Sequence, residues 1–528
     1  MAIDIDADLQ KIHMENQKEG VTITPGKAYY GNPKGIQIFH SEKNTYALDV
    51  FVQEFQIHES IHRPGVTGFI KMLDTYNLVR NGIILGQELL YLKFSTAGAM
   101  EAGIENAWAV DYTKHPFQIY RIEKLESPKT GVAGTSESAL SYILHFCSPE
   151  LLQNDRIKIS QTMQGTVSDI VNDILENNLG TTKTLEVVPT EDLKQYIIPN
   201  FHPFDAISRI TPIAQSTAKD TEYAGPPGRT IVPQVFKGRL TDYYFWETTR
   251  GYKFLPMIRP KTSGDFTLSA GRAVTSESYP RMMAQSLNYS HLNHINTYHT
   301  IKAGAWGGKQ ILHNAFSKSV KTYQSNYLNS LQYYRYSHVS KTPVYNAANG
   351  VEPQMISEFP NSTTKLNSFG GSQKYTNILK TPAEGGENFN SPWSPTPSDT
   401  SLKREMQTLH STIYDQLSLT INGISALEAG MTVKLNLPDI GRGSGYFDQN
   451  PAWENRFDNI WIITEVKHIL NPVANTYFCE LKLSNTMRAT GKDLPVYDSV
   501  GDPTKKSSYK KTDIYSSGGS STGSMNVS

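Results

Sequence analysis

Between residues 51 and 63 the chain alternates in polarity. Phe51, Gln53, Phe55, Ile57, Glu59 and Ile61 form a mostly apolar set, and Val52, Glu54, Gln56, His58, Ser60 and His62 a mostly polar one. A period of two is that of a half-buried strand. Arg63-Pro64-Gly65 supplies a turn, and Val66, Gly68, Ile70 and Met72 resume the alternation, so 51–74 predicts a β-hairpin. Further on the period lengthens. Val167, Ile170, Val171, Ile174 and Leu175 recur at the spacing of an amphipathic helix. Thr166 with Asp169 makes a capping-box-like start, and Gly180 a stop. A second short helix is predicted near HPFDAISRI, with Pro203 suited to its first turn. YYFWETTRGYKFLPM, residues 243–257, predicts another hairpin, turning near Arg250-Gly251.

Two β-rich stretches share a pattern. ILGQELLYLKF (Ile84 to Phe94) and LEAGMTVKLNL (Leu427 to Leu437) each place a glycine, Gly86 or Gly430, just before an alternating strand. From Gly86 to Phe117, which opens FQIYRIEKL, is 31 residues, and from Gly430 to Trp461, which opens WIITEVKHI, is also 31. A closing strand follows each, YILHFCS (Tyr142 to Ser148) and YFCELKLS (Tyr477 to Ser484). The matched spacing points to an internal duplication. A trimer of such chains would display six similar units, a pseudo-six-fold arrangement built on a three-fold axis.

The expected organisation follows from these shifts. Residues 1–35 form an N-terminal arm, 36–150 a first β-barrel, and 151–260 a smaller α+β domain with an exposed loop at 224–233. Residues 261–339 are a β-rich region completing the middle or second barrel. Residues 340–400, rich in Pro, Ser, Thr, Asn and Gly, read as an irregular linker or contact arm. Leu402, Met406, Leu409 and Ile413 suggest a helix that leads into a second barrel at 401–495, and 496–528 is a flexible polar tail. The expected fold class is mainly β with α+β: two similar antiparallel β-barrels joined by a smaller α+β region.

Composition narrows the function. With 528 residues the chain is long enough for several domains. Lys+Arg 50 against Asp+Glu 50 leaves no net charge, hence no bulk drive toward nucleic acid or an anionic membrane. Two cysteines, Cys147 and Cys479, imply no disulfide framework and read as small buried hydrophobes in the closing strands. MAIDIDADLQKIHMENQ lacks the basic and apolar regions of a signal peptide, and no apolar run reaches membrane-helix length. The expectation is a soluble protein made in a reducing cytoplasm, with no membrane partner.

Three strings imitate chemical motifs. HESIH, His58 to His62, matches H-E-x-x-H, in which two histidines one helical turn apart hold zinc and the glutamate is general base. In a strand, with its rise of about 3.3 Å per residue, those histidines stand roughly 13 Å apart, too far to share a metal. GAWGGKQ, Gly304 to Gln310, misses the P-loop spacing and places Gln310 where Ser or Thr is needed. His291, His294 and His299 sit in a polar, β-branched segment where helical chelating geometry is not expected. No catalytic, cofactor-binding or metal-binding residue is assigned, and the chain reads as a non-enzyme.

The order of segments carries a family resemblance. FQIHESIHRPGVTGFIKMLD with GQELLYLKF looks like an opening barrel, and HFCSPELLQNDRIKISQTMQGTVSDIVNDIL like a strand-to-helix passage. FHPFDAISRI with YYFWETTRGYKF is similar to a middle domain, GGKQILHNAFSKSVKTYQSNY to a later strand region, and LTINGISALEAGMTVKLNLP with WIITEVKHIL to a second barrel. Over roughly residues 36 to 490 the chain thus resembles the baseplate (tail) hub proteins of T-even-like contractile-tailed bacteriophages, relatives of the N-terminal hub region of type VI secretion spike proteins. The resemblance implies tail-tube-like barrels in a homotrimeric ring around a channel, within the virion baseplate, assembled in the host bacterial cytoplasm. The implied partners are further copies of the chain, the central spike protein, the tail-tube initiator or first tube ring, and inner baseplate wedge proteins. Tape-measure protein and DNA would pass through without specific recognition. The 340–400 segment, the N-terminal arm and the polar tail depart from the pattern. The rival readings are a hub or spike component of a related contractile injection system, a peripheral glycan-binding tail protein, and a zinc protease or cell-wall hydrolase. Loss of activity on Glu59→Gln would mark the last of these.

Overall fold

In the computed structural model, the described residues are 44–96, 109–126, 139–191, 194–216, 242–257, 416–436 and 460–487, with short strand segments between them (28–29, 36–41, 220–221, 236–237, 266–270, 285–293, 307–314, 319–326, 343–345, 353–355 and 374–380). The first block holds β1 (Ile36–Ser41), β2 (Val52–Ser60), β3 (Thr67–Asp74), β4 (Leu89–Thr96), β5 (Phe117–Glu126) and β6 (Leu140–Cys147). The hairpin predicted over 51–74 is β2 and β3, antiparallel with Phe55 opposite Ile70. Alternation decides the faces: Phe55 and Ile57 are buried, while Gln56 and His58 are half-buried on the other side. The strand expected just after Gly86 begins at Leu89. Gly86 has φ +93, and the backbone N–H groups of Leu85, Gly86 and Gln87 all donate to the Glu88 carboxylate, which holds this stretch as a turn. Short strands at Ala28–Tyr29 and Val110–Asp111 pair with β4, and Asn44–Ala47 pairs with β1.

The middle region begins inside helix α1 (Pro149–Arg156), which spans the boundary expected at 150. It continues through β7 (Ile159–Gly165), α2 (Val167–Asp173), β8 (Leu185–Val187), β9 (Lys194–Phe201), α3 (Pro203–Ile210), β10 (Tyr243–Thr248) and β11 (Gly251–Pro256). The capping box of Thr166 and Asp169 is formed. Past Asp173 the helix widens into a π-turn, Ile174–Leu179, and stops at Gly180 in the left-handed region. Its apolar stripe, Val167, Ile170, Val171, Ile174 and Leu175, is buried against α3 and β11 in a core of its own.

The second block holds β12 (Phe266–Ala270), β13 (Gln285–Asn293), β17 (Gln416–Asn422), β18 (Thr432–Asn436), β19 (Ile460–Asn471) and β20 (Thr476–Met487). Between β13 and β17 lie β14 (Gly307–Asn314), β15 (Ser319–Asn326) and β16 (Lys374–Lys380), which form a separate three-stranded sheet. The segment 340–400 is therefore not wholly irregular. KYTNILK pairs in parallel with β14 from Lys374 to Lys380, its aromatic and β-branched residues hidden in a low-complexity surrounding. The Gly-Lys-Gln of the P-loop-like string lies in β14 and His291 in β13, whereas His294 and His299 lie outside the described residues. The helix suggested by Leu402 to Ile413, most of the N-terminal arm and the C-terminal tail lie outside the described residues.

The two blocks share one strand order, although β12 runs parallel to β18 where β1 runs antiparallel to β4. The first runs β2-β3-β6-β5-β4-β1 across its sheet and the second β13-β17-β20-β19-β18-β12, so the six strands follow the same order in both. Finer details repeat as well. A bulge falls between Ile119 and Arg121 in β5 and between Ile463 and Glu465 in β19, leaving Tyr120 and Thr464 as the extra residues, each three after Phe117 or Trp461. Gly86 and Gly430 both have positive φ, +93 and +89. The second block closes on itself: β12 pairs with β13 and β18, and β18 with β19. Both β12 pairings are parallel, a departure from the all-antiparallel barrel expected. In the first block no β1–β2 pairing occurs among the described residues. There β2 pairs with β19 of the second block, which joins both blocks into one fifteen-stranded sheet. They share one core as well, in which Phe94 packs edge-on against Phe55, His468 and Tyr477.

Candidate functional site

The first block, the second block and the β10–β11 hairpin meet at the C-terminal end of β2. Strand β19 is long and bent. Its edge pairs with β18 at residues 460–462, then past the bulge at Thr464 with β2, Glu465 opposite Ser60 and Leu470 opposite Phe55. Strand β2 thus continues the edge where β18 ends. The Ile61 N–H donates to the Thr464 carbonyl at 3.0 Å, and the Gly430 N–H to the Ile463 carbonyl at 2.7 Å. Ile61, Trp246, Leu255, Met257, Ala429 and Ile462 form a small apolar cluster beneath. The Trp246 indole N–H donates to the Ala429 carbonyl at 3.0 Å.

Glu59 lies at the centre of this junction. The alternation of β2 places it on the buried face, and it is fully buried. Its carboxylate accepts from the Thr249 N–H at 2.8 Å and the Ala429 N–H at 3.1 Å, so one side chain from the first block binds the hairpin and the second block. Burial, and then the neighbouring Glu428 carboxylate, push its pKa up to about 8. Burial works against the charge of Glu428 too, but Arg250 and Lys253 hold its carboxyl below the usual range. Arg250 contacts one Glu428 oxygen, and Lys253 Nζ lies 2.6 Å from the other.

A second buried cluster fastens the middle region. Lys183 Nζ lies 2.6 Å from both Glu150 and Glu247, and the Val66 N–H of the β2–β3 turn donates to Glu247 at 3.1 Å. Burial opposes the Lys183 charge, yet the two carboxylates raise its pKa. Burial raises that of Glu247, against the pull of Lys183. Breaking such a cluster by removing one partner costs about 3–5 kcal/mol, because it strands an unpaired buried charge.

The histidines of HESIH do not converge. His58 Nε2 is 3.3 Å from Glu465 across the β2–β19 seam, whereas the His62 ring packs edge-on against Tyr244. The Glu59 carboxylate faces the junction and binds backbone N–H groups, away from His58. The string is a strand of the seam, as the alternation predicts. Among the described residues, no three His, Cys, Asp or Glu side chains are grouped to hold a metal ion, and no helix is long and apolar enough to cross a membrane. Cys147 and Cys479 are buried thiols whose pKa values burial pushes up to about 12. The seam, and Glu59 as its staple, are what sequence reasoning missed. The available signal was a glutamate in the apolar register of an alternating strand.

No protein-family model matches the sequence, and no curated protein does. Similar solved structures exist. A tail protein from Neisseria meningitidis is 9% identical, with a TM-score of 0.43, covering 85% of this chain and 97% of that one. A 43 kDa tail protein of prophage MuSo2 from Shewanella oneidensis is 10% identical, with a TM-score of 0.43, over 87% and 99%. A type VI secretion component from E. coli, described as similar to the T4 bacteriophage tail proteins gp27 and gp5, is 10% identical, with a TM-score of 0.36, over 87% and 79%.

Proposed function

We propose that three copies of this chain form the structural hub of a contractile phage-tail baseplate. The observation that carries the reading is the duplication within one chain: two blocks with one strand order, one bulge position and one glycine conformation, fused through a continuous sheet. Three such chains in a ring present six similar blocks. That ring can seat a three-fold spike on one side and a six-fold tube on the other. The segment-by-segment resemblance of the sequence to hub proteins supports the same assembly.

In this reading the role is mechanical rather than enzymatic. Tape-measure protein and DNA pass through the ring, and the wedge proteins surround it. Zero net charge suits a passage, because a strongly basic wall would retain DNA through counterion release. The buried clusters around Glu59 and Lys183 give the subunit one fixed shape under load. Light scattering across a concentration series tests the assembly. A mass three times that of the chain, alone or after the spike protein is added, is the expected result. A stable dimer or tetramer, or a monomer even with the spike present, would overturn the hub assignment.

A further inference from the structure

The middle region carries a groove that its own elements do not fill. The groove has a volume of about 330 Å³ and runs between α2 with its π-turn and the end of β8. Asp169, Asn172, Asp173, Glu176, Val187 and Pro189 line it, and no lysine or arginine does. Residues 169, 173 and 176 recur at the spacing of one helix face, which sets three carboxylates in a row about 10 Å long. Asp169 accepts the Thr166 N–H of the capping box, and Asp173 accepts from the Asn177 side-chain amide. Neither these two nor Glu176 has an ion-pair partner among the described residues. The other wall is an open strand edge. Strand β8 pairs on one side with β11, and among the described residues nothing pairs with its other side, where Val187 is 37% exposed.

The carboxylates are strung along the helix and are not grouped to hold a metal ion. A row of positive charges on an extended backbone fits them better than a single cation. The chain itself holds such a row. Lys505, Lys506, Lys510 and Lys511 fall within seven residues, and the run TKKSSYKKT (504–512) has no acidic member. In an extended run, Lys506 and Lys510 share one face roughly 13 Å apart, close to the span of the carboxylates. The path of the chain brings this run toward the groove. Strand β20 ends at Met487 opposite Ile460, two residues before Ile462, which packs with Trp246 and Leu255 of the β10–β11 hairpin. Strand β8 lies beside β11 of that hairpin. Lys505 is 18 residues past Met487, a reach of up to about 60 Å.

We propose that residues 504–512 lie extended in this groove of their own chain. The lysines face Asp173 and Glu176, the backbone runs along the open edge of β8, and the tail is strapped to the middle region. Strand addition at an open edge supplies the backbone contacts, and the complementary charges choose the segment. The strap is a contact within one chain and does not depend on the ring reading above.

Disulfide trapping in the full chain tests this, since both native cysteines are buried. Under mild oxidation, Glu176→Cys with Lys510→Cys should link about ten-fold or more faster than Val50→Cys with Lys510→Cys, because docking raises the local concentration of the two thiols. Val50 is 90% exposed at the far end of β2, so a freely moving tail would reach it at least as readily. Mass spectrometry of mixed labelled and unlabelled copies should find the link within single chains, and high salt should bring its rate down toward the control. Independently, a dye on Ser508→Cys should lose anisotropy when Asp173→Lys and Glu176→Lys are introduced, and regain it when Lys506→Glu and Lys510→Glu are added. Equal linking rates, links found only between chains, or an anisotropy indifferent to both pairs of substitutions would overturn the strap.

Discussion

The two β blocks share an order of strands but differ in what covers them. The second is closed by β12 and its β19 edge is filled by β2. Among the described residues, the first is open between β1 and β2 and its β5 edge is bare. The matched glycines show the difference at atomic scale. Both adopt positive φ, but a Cβ on Gly430 would lie 2.4 Å from Trp246 Cζ2, while one on Gly86 would meet only Ile122 Cγ1 at 4.0 Å. Duplication has kept the backbone and changed the neighbours. The copy inside the subunit has become core, and the copy at its margin has stayed surface.

The largest expected effect comes from pressing on that contrast. Gly430→Ala should cost about 3 kcal/mol or more, combining left-handed strain with overpacking against a buried tryptophan. Gly86→Ala should cost about 1 kcal/mol, the strain alone. Urea midpoints of the two variants measure the gap, and equal losses would mean that the junction is not packed as described.

Next in size is the pH response of Glu59. The folded chain keeps on this carboxyl a proton that the unfolded chain releases near 4.5, since its pKa is raised to about 8. Raising the pH from 4.5 toward 8 therefore removes stability. Thermal melts of Glu59→Gln across that window should fall less steeply than those of the wild type. Parallel curves would show that Glu59 is ionised throughout and that its two N–H donors outweigh its burial.

The smallest effect is expected at the partly exposed Glu465. The His58 hydrogen bond, reinforced by Lys482, holds its pKa down at about 2, against the opposing pull of burial. Its contribution is present above 4.5 and is lost as pH falls toward 2. Glu465→Gln should cost under about 1 kcal/mol at neutral pH, because the group is partly screened by solvent, and progressively less as the pH falls to 2. A larger loss would mean that the seam depends on this ion pair more than on its backbone ladder.

Much of this architecture was legible in residue order. The alternation over 51–74 gave the β2–β3 hairpin and the face on which Glu59 is buried. Thr166, Asp169 and Gly180 bounded the helix, and the glycine-to-aromatic spacing exposed the duplication. These are local features: a face, a cap or a turn depends on a few neighbouring side chains. The joining of β2 to β19 was decided only in the tertiary structure, as were the strand at 374–380 and the gathering of Glu59, Arg250, Lys253 and Glu428. Strand partners find one another through backbone N–H and C=O groups, which every residue carries alike. Nothing in residues 55–60 therefore names 465–470 as their partner. A buried carboxylate is tolerable only where donors from distant segments converge on it, and that convergence exists only once the chain has folded.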